Sequence, residues 1–143
     1  MAEPFDVRLT DWTADEAALR AVRRAVFIVE QGVPESLEWD DVDPRCVHAL
    51  ALDSRARPIG CGRLLPDGHI GRMAVLASWR GRGVGAALLA RLVELARAAG
   101  HPRAVLNAQI SAVPFYARYG FAITGDEFEE AGIAHRIMDR PLR

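Results

Sequence analysis

No lysine occurs in the 143 residues: all 18 basic side chains are arginine. That absence removes every lysine nucleophile or base. It also rules out the phosphate-binding loop G-x-x-x-x-G-K-[ST], whose lysine must reach the phosphates. Cysteine is scarce as well. Cys46 and Cys61 lie in unrelated contexts, one in a loop and one in an apolar strand, so neither a disulfide framework nor a metal knuckle is expected, and no metal. No run of about 18 apolar residues and no leading apolar segment is present, which predicts a soluble, cytoplasmic chain without a membrane partner. Charge of one sign is missing too: 18 basic against 19 acidic residues leave a net charge of −1, with the arginines spread along the whole length. No basic block is available to track nucleic acid, so no nucleic-acid partner is expected.

What is present is apolar content. Half of the residues are apolar, which in a chain of this length suits one domain, 1–143, with a substantial core. Alternation over 5–9 predicts a first strand. Thr13, Ala14, Asp15 and Glu16 open a helix, in which Leu19, Val22, Val26 and Val29 recur at helical spacing. Gly32, Pro34 and Pro44 bracket an acidic stretch, 35–43, that has no apolar period and reads as a loop. Segments 47–52, 58–65 and 69–76 read as strands joined by polar turns, an antiparallel meander. Val84, Leu88, Leu92, Leu95 and Ala99 mark one face of a helix that stops at Gly100, with Pro102 just beyond. A strand over 103–110, a short helix from 111 or 112 to 119, and strands over 121–124 and 134–140 complete an α+β chain.

Between the strand at 69–76 and the helix after it lies Arg80-Gly81-Arg82-Gly83-Val84-Gly85-Ala86. Glycines at alternate positions let the backbone turn tightly and approach a ligand, while the first N–H groups of the helix point outward without partners. This is a cradle for an anion such as pyrophosphate. The dinucleotide fingerprint G-x-G-x-x-G/A can be laid over Gly81, Gly83 and Ala86, but it requires an acid about 20 residues further on. The corresponding strand, 103–110, contains none, and too little chain follows for a doubly wound sheet.

Arg80, Gly83 and Gly85 match the pattern Arg/Gln-x-x-Gly-x-Gly/Ala, and Phe115, Tyr116, Gly120 and Phe121 match F-Y-x-x-x-G-F one strand later. In these two elements the chain resembles the GNAT superfamily of acyl-coenzyme A-dependent N-acetyltransferases. Segments 26–34, 62–66 and 130–135 look like its small bacterial ElaA/YjcF-like subgroup, and the resemblance spans 20–140. It implies a mixed, mostly antiparallel sheet of about six to seven strands with about four helices, the cradle lying between the central strand and a helix. It implies acetyl-CoA as cosubstrate, held by the backbone of Met73, Ala74 and Val75, by Arg80, Gly81, Arg82, Gly83, Val84, Gly85 and Ala86, and by Asn107 and Tyr116.

Transfer of an acetyl group to an amine needs a neutral amine, stabilisation of the oxyanion and a proton for the departing thiolate. The match to F-Y-x-x-x-G-F makes Tyr116 the expected general acid, with Tyr119 three residues on as competitor. Asn107 stands where family members splay a strand away from the cradle. Many relatives carry a glutamate on the strand before the cradle; residues 69–75 have none. A base must nevertheless take the proton of an amine with a pKa of about 10.4. The candidates are Glu30 and His135, with Glu38, Asp40, His69, Glu127 and Glu130 behind them. The expected acceptor is a small-molecule or peptidyl primary amine, and a homodimer is left open. A non-catalytic acyl-CoA-binding regulator with the same fold is the alternative that the missing strand glutamate keeps in view.

Overall fold

The structure is a computed structural model that describes residues 3–143. Seven strands form one sheet in the order β1-β2-β3-β4-β5-β7-β6. β1 (Phe5–Thr10) is the strand expected from alternation, and β2 (Val47–Asp53), β3 (Pro58–Leu64) and β4 (His69–Val75) are the antiparallel meander expected from segments joined by polar turns. β2 and β3 are buried along nearly their whole length, because helices cover both faces of the sheet there. β5 (Arg103–Gln109) runs parallel to β4, β7 (Ile133–Pro141) lies antiparallel to β5, and β6 (Ala122–Glu130) lies antiparallel to β7. The last hairpin corrects the expectation of a short strand at 121–124. β6 extends to Glu130 because it pairs with β7 up to the turn at Ala131 and Gly132.

On one face of the sheet lies α3 (Val84–Ala98), which buries Val84, Leu88, Leu89, Leu92, Val93 and Ala96. The stripe is wider than the single row read from sequence. Ala99 is exposed, and Leu89 and Val93 take the inward places beside Leu88 and Leu92. Gly62 is needed for this approach: a Cβ there would stand 2.8 Å from Leu92 Cδ1 and 2.5 Å from Met73 Sδ. α4 (Val113–Arg118) joins the same core through Tyr116, which packs with Leu106 and Ala108.

On the opposite face lies α1 (Trp12–Arg23), capped by Asp11, whose side chain accepts from the Ala14 N–H at 2.7 Å. A π-helical segment, Arg24–Glu30, continues it, with the Gln31 N–H bonding five residues back to Val26 O at 3.0 Å. The wider turn alters the periodicity. Leu19, Val22, Val26 and Phe27 are buried, whereas Val29, expected on the inner face, is 75% exposed. Glu30 and Gln31 are carried instead to the end of the segment that meets the sheet's open side.

The acidic stretch is not a featureless loop. Residues Glu35–Glu38 form a short helix, α2, and three acids enter a buried ionic cluster. Arg23 donates to Glu38 Oε2 and Asp43 Oδ1, both at 2.8 Å, while Arg63 donates to Asp43 Oδ1 at 2.7 Å and Asp40 Oδ2 at 2.9 Å. Charges so placed persist because each has a partner. Burial alone would raise Asp40, yet the hydrogen bonds and charge of Arg63, with Arg72 behind it, hold it down at about 2. Burial outweighs Arg72 and Arg23 at Glu38 and raises it above the usual carboxylate range.

Candidate active site

The glycine turn enters α3 with Gly81 at φ +77° and Gly83 at φ +86°, the left-handed region that excludes β-branched side chains. A Cβ at either position would meet nothing within 4 Å, so the space in front of the turn is open. The first helical hydrogen bond runs from the Ala87 N–H to Gly83 O at 3.0 Å. The N–H groups of Val84, Gly85 and Ala86 therefore have no carbonyl within the helix, and with the positive end of the helix dipole they suit a phosphate. Gly85 lies under the Phe115 ring, where a Cβ would sit 3.4 Å from Cζ.

β4 and β5 pair only through His69 with Val105 and Ile70 with Leu106, and then diverge. A bulge in β4 assists. Arg72 takes φ +48°, and the β3–β4 register slips between Cys61 and Arg63. Arg72 is anchored to the short acidic helix, its Nη2 donating to Glu38 O at 3.0 Å. The divergence opens a cavity of about 1220 Å³ that continues from the cradle through the sheet. Met73, Ala74 and Val75 form one wall, and Asn107 and Gln109 the other. A wedge whose walls are backbone edges of two separated strands fits an extended, amide-bearing chain, and the cradle fits its phosphate end.

Most of the residues anticipated from sequence line this one cavity, including Gly81, Gly83, Gly85, Asn107, Tyr116 and His135. Tyr116 enters from the α3 side, packed edge-on against Phe115 and Phe121 at ring separations of 5.1 and 6.0 Å. Burial pushes its phenol up to about 12. No hydrogen bond to its hydroxyl occurs among the described residues. His135 comes from the other face of the sheet: it lies opposite Gln109 in the β5–β7 register, and Gln109 and Asn107 alternate with the core residues Leu106 and Ala108. Its Nδ1 is 2.7 Å from Ile133 O, a group that only accepts, so the neutral ring carries its proton on Nδ1 and presents a lone pair at Nε2. The nearest carboxylate, Glu130, is 3.9 Å from Nε2.

Two anticipated residues behave differently. Arg82 does not line the cavity: its guanidinium sits 5.0 Å over the Trp79 ring and 3.4 Å from Glu3, so only its backbone belongs to the turn. Glu30 is on the wall, but both its oxygens are held by Arg80, at 2.5 and 2.6 Å, and those hydrogen bonds lower its pKa. A carboxylate so held is a weak proton acceptor. Of the remaining acids and histidines, Glu38 and Asp40 belong to the ionic cluster and His69 pairs with Asp67 at 3.0 Å.

The family model described as "Acetyltransferase (GNAT) domain" matches residues 11–142. The chain belongs to the GNAT family. This GNAT chain is 38% identical over 121 residues to the uncharacterized N-acetyltransferase YjcF of Bacillus subtilis, covering 82% of the chain and 86% of that protein. Among solved structures it is similar to an acyl-CoA N-acyltransferase from Pseudomonas aeruginosa, with a TM-score of 0.85 at 28% identity over 96% of this chain and 99% of that one. Escherichia coli ElaA aligns equally well, with a TM-score of 0.85 at 26% identity and the same coverages, 96% and 99%. By class the protein is thus an acyl-CoA-dependent N-acyltransferase. Residues that sequence patterns missed are Arg72, whose left-handed backbone no motif signals, and the pair Gln31 and Gln109, which touch across 78 positions of chain.

Proposed function

We propose that the protein transfers an acetyl group from acetyl-CoA to a primary amine of a small molecule or peptide by direct attack in a ternary complex. The observation that carries this reading is the placement of a phenol and an imidazole lone pair on opposite faces of one splayed sheet, both lining the cavity that begins at the cradle. The donor supplies an activated thioester. The N–H groups of Val84, Gly85 and Ala86 hold its pyrophosphate, and the edge of β4 from Met73 to Val75 pairs with its amide-bearing arm. Asn107 faces the gap and offers its amide to the same arm. His135 Nε2 accepts the amine proton on the α1 side, with Nδ1–H fixed by Ile133 O. Tyr116 donates to the departing thiolate on the α3 side.

Acetyl-CoA and CoA are expected to stabilise the fold, by about 2.7 kcal/mol when present at 100 times Kd. Thermal unfolding with each nucleotide checks this: a shift with NAD or ATP as large as that with CoA overturns the donor assignment. His135→Asn retains a donor near the position of Nδ1 and removes Nε2. It is expected to lower kcat/KM about tenfold with CoA affinity intact, less than a full base contribution because water in the open cavity takes over. An unchanged kcat/KM would assign deprotonation to water alone.

A further inference from the structure

On the α1 face the gap between β4 and β5 is crossed by two consecutive residues at the end of the π-helical segment. Glu30 reaches one side, to Arg80. Gln31 reaches the other, where Gln109 Nε2 donates to Gln31 Oε1 at 2.9 Å and Gln31 Nε2 lies 3.4 Å from Gln109 Oε1. Gln109 is the residue directly opposite His135 in the β5–β7 register, and both line the cavity, which places the amide pair and the imidazole on one face of the sheet. The two side chains bond only to each other among the described residues. In contact with solvent such a pair is worth little, and its separation exposes donors and acceptors that a second amide satisfies.

The charges on the same wall point the same way. Glu30 is engaged by Arg80, and Glu38 by Arg23 and Arg72. Glu130 is the wall carboxylate beside His135 and is left to attract the reacting ammonium; among the described residues the one other wall carboxylate without an arginine partner is Asp67, on the turn between β3 and β4. A di- or polyamine would bring a charge without a partner into a partly desolvated site, which costs binding.

We propose that Gln31 and Gln109 determine acceptor specificity, and that the preferred acceptor is a primary amine with an amide group a few bonds from its nitrogen, as in an aminoacyl amide or a peptide N-terminus. This rests on the acetyl-transfer reading above. Gln31 and Gln109 part and each bonds the acceptor's amide, so that the amine nitrogen is delivered to His135.

The test uses the full chain with acetyl-CoA and four amines: glycinamide, glycylglycinamide, ethylamine and putrescine. Rates are expressed per neutral amine, which removes the difference in ionisation; the lower nucleophilicity of the less basic amide-bearing amines then works against the expected preference. Glycinamide is expected to exceed both ethylamine and putrescine about tenfold in kcat/KM, the worth of one or two hydrogen bonds in such a site. A larger value for glycylglycinamide than for glycinamide assigns the peptidyl source, and the reverse order the free one. In Gln109→Ala, and independently in Gln31→Ala on the other element, the glycinamide-to-ethylamine ratio is expected to fall about tenfold through KM. Putrescine as the best acceptor, or a ratio unmoved in both variants, overturns the proposal while leaving acetyl transfer standing. No consumption of acetyl-CoA with any amine overturns the transfer reading, and this proposal with it.

Discussion

Tyr116→Phe is expected to lower kcat by about 10²- to 10³-fold with CoA affinity nearly unchanged, the loss typical of a positioned hydrogen-bond donor to a developing charge. The phenol, pushed up to about 12 by burial, stays protonated throughout the neutral range. Against a thiol of ordinary pKa, about 8.5, complete proton transfer from such a phenol is uphill. Its contribution is therefore a short hydrogen bond to the charge that develops on sulfur, worth most in a site from which water is largely withdrawn. The ring itself packs against Phe115 and Phe121, contacts that phenylalanine keeps, so the substitution removes one oxygen and little else. Tyr119 also lines the cavity and packs on Phe115, but it is 37% exposed, and Tyr119→Phe is expected to change kcat less than twofold. Steady-state kinetics of both variants with glycinamide decide the assignment. An unaltered kcat in Tyr116→Phe removes the phenol from the chemistry and leaves water or Tyr119 as the donor.

The parts of the fold that were legible beforehand are those governed by local rules. Alternation located β1, apolar segments between polar turns located β2 to β5, and the helix after the cradle ends near Gly100, where a left-handed residue at φ +86° stops it. The cradle was legible because glycines recur at alternate positions between a strand and a helix, and two of them, Gly81 and Gly83, do take positive φ. Val29 was misjudged for an equally physical reason. Its spacing from Val26 presumes an α-helix, and nothing in a local pattern reveals that the chain widens into a π turn at Arg24. The acids at 35–43 look like a solvated run until Arg23 and Arg63, distant in sequence, are brought over them. Pairings of this kind depend on how α1 packs on β3, a long-range property that no local pattern carries.

The same distinction applies to the site. The proposed donor half lies within one stretch of chain, Met73 to Ala86, where a motif can find it. The proposed acceptor half is assembled from separate elements: Glu30 and Gln31 at the end of the π segment, Gln109 from β5, His135 from β7. Glu30 illustrates the difference. Its residue type allows it to be a base, and only the contact with Arg80, across 50 positions, shows that its carboxylate is already committed. Acyl-CoA enzymes of one family can thus share a recognisable donor site while the acceptor site varies with little trace in any short motif.

Gly83→Val is expected to abolish CoA binding, weakening it at least about 10³-fold, while far-UV circular dichroism remains that of the folded chain. Two effects combine. Gly83 holds φ +86°, where an L side chain costs about 1–2 kcal/mol and a β-branched one more, so the turn moves away from the geometry that presents the Val84, Gly85 and Ala86 N–H groups. The new side chain also projects into open space, since a Cβ there has no protein atom within 4 Å. That space is what a pyrophosphate must enter to reach the amides. The absence of a clash with protein is the reason the fold should survive: the strain is confined to an exposed turn outside the core, and Val84 remains buried behind it. Titration calorimetry with CoA on a variant verified as folded gives the answer. Normal affinity in that variant would mean that the phosphate groups bind elsewhere and that the turn is only a helix start.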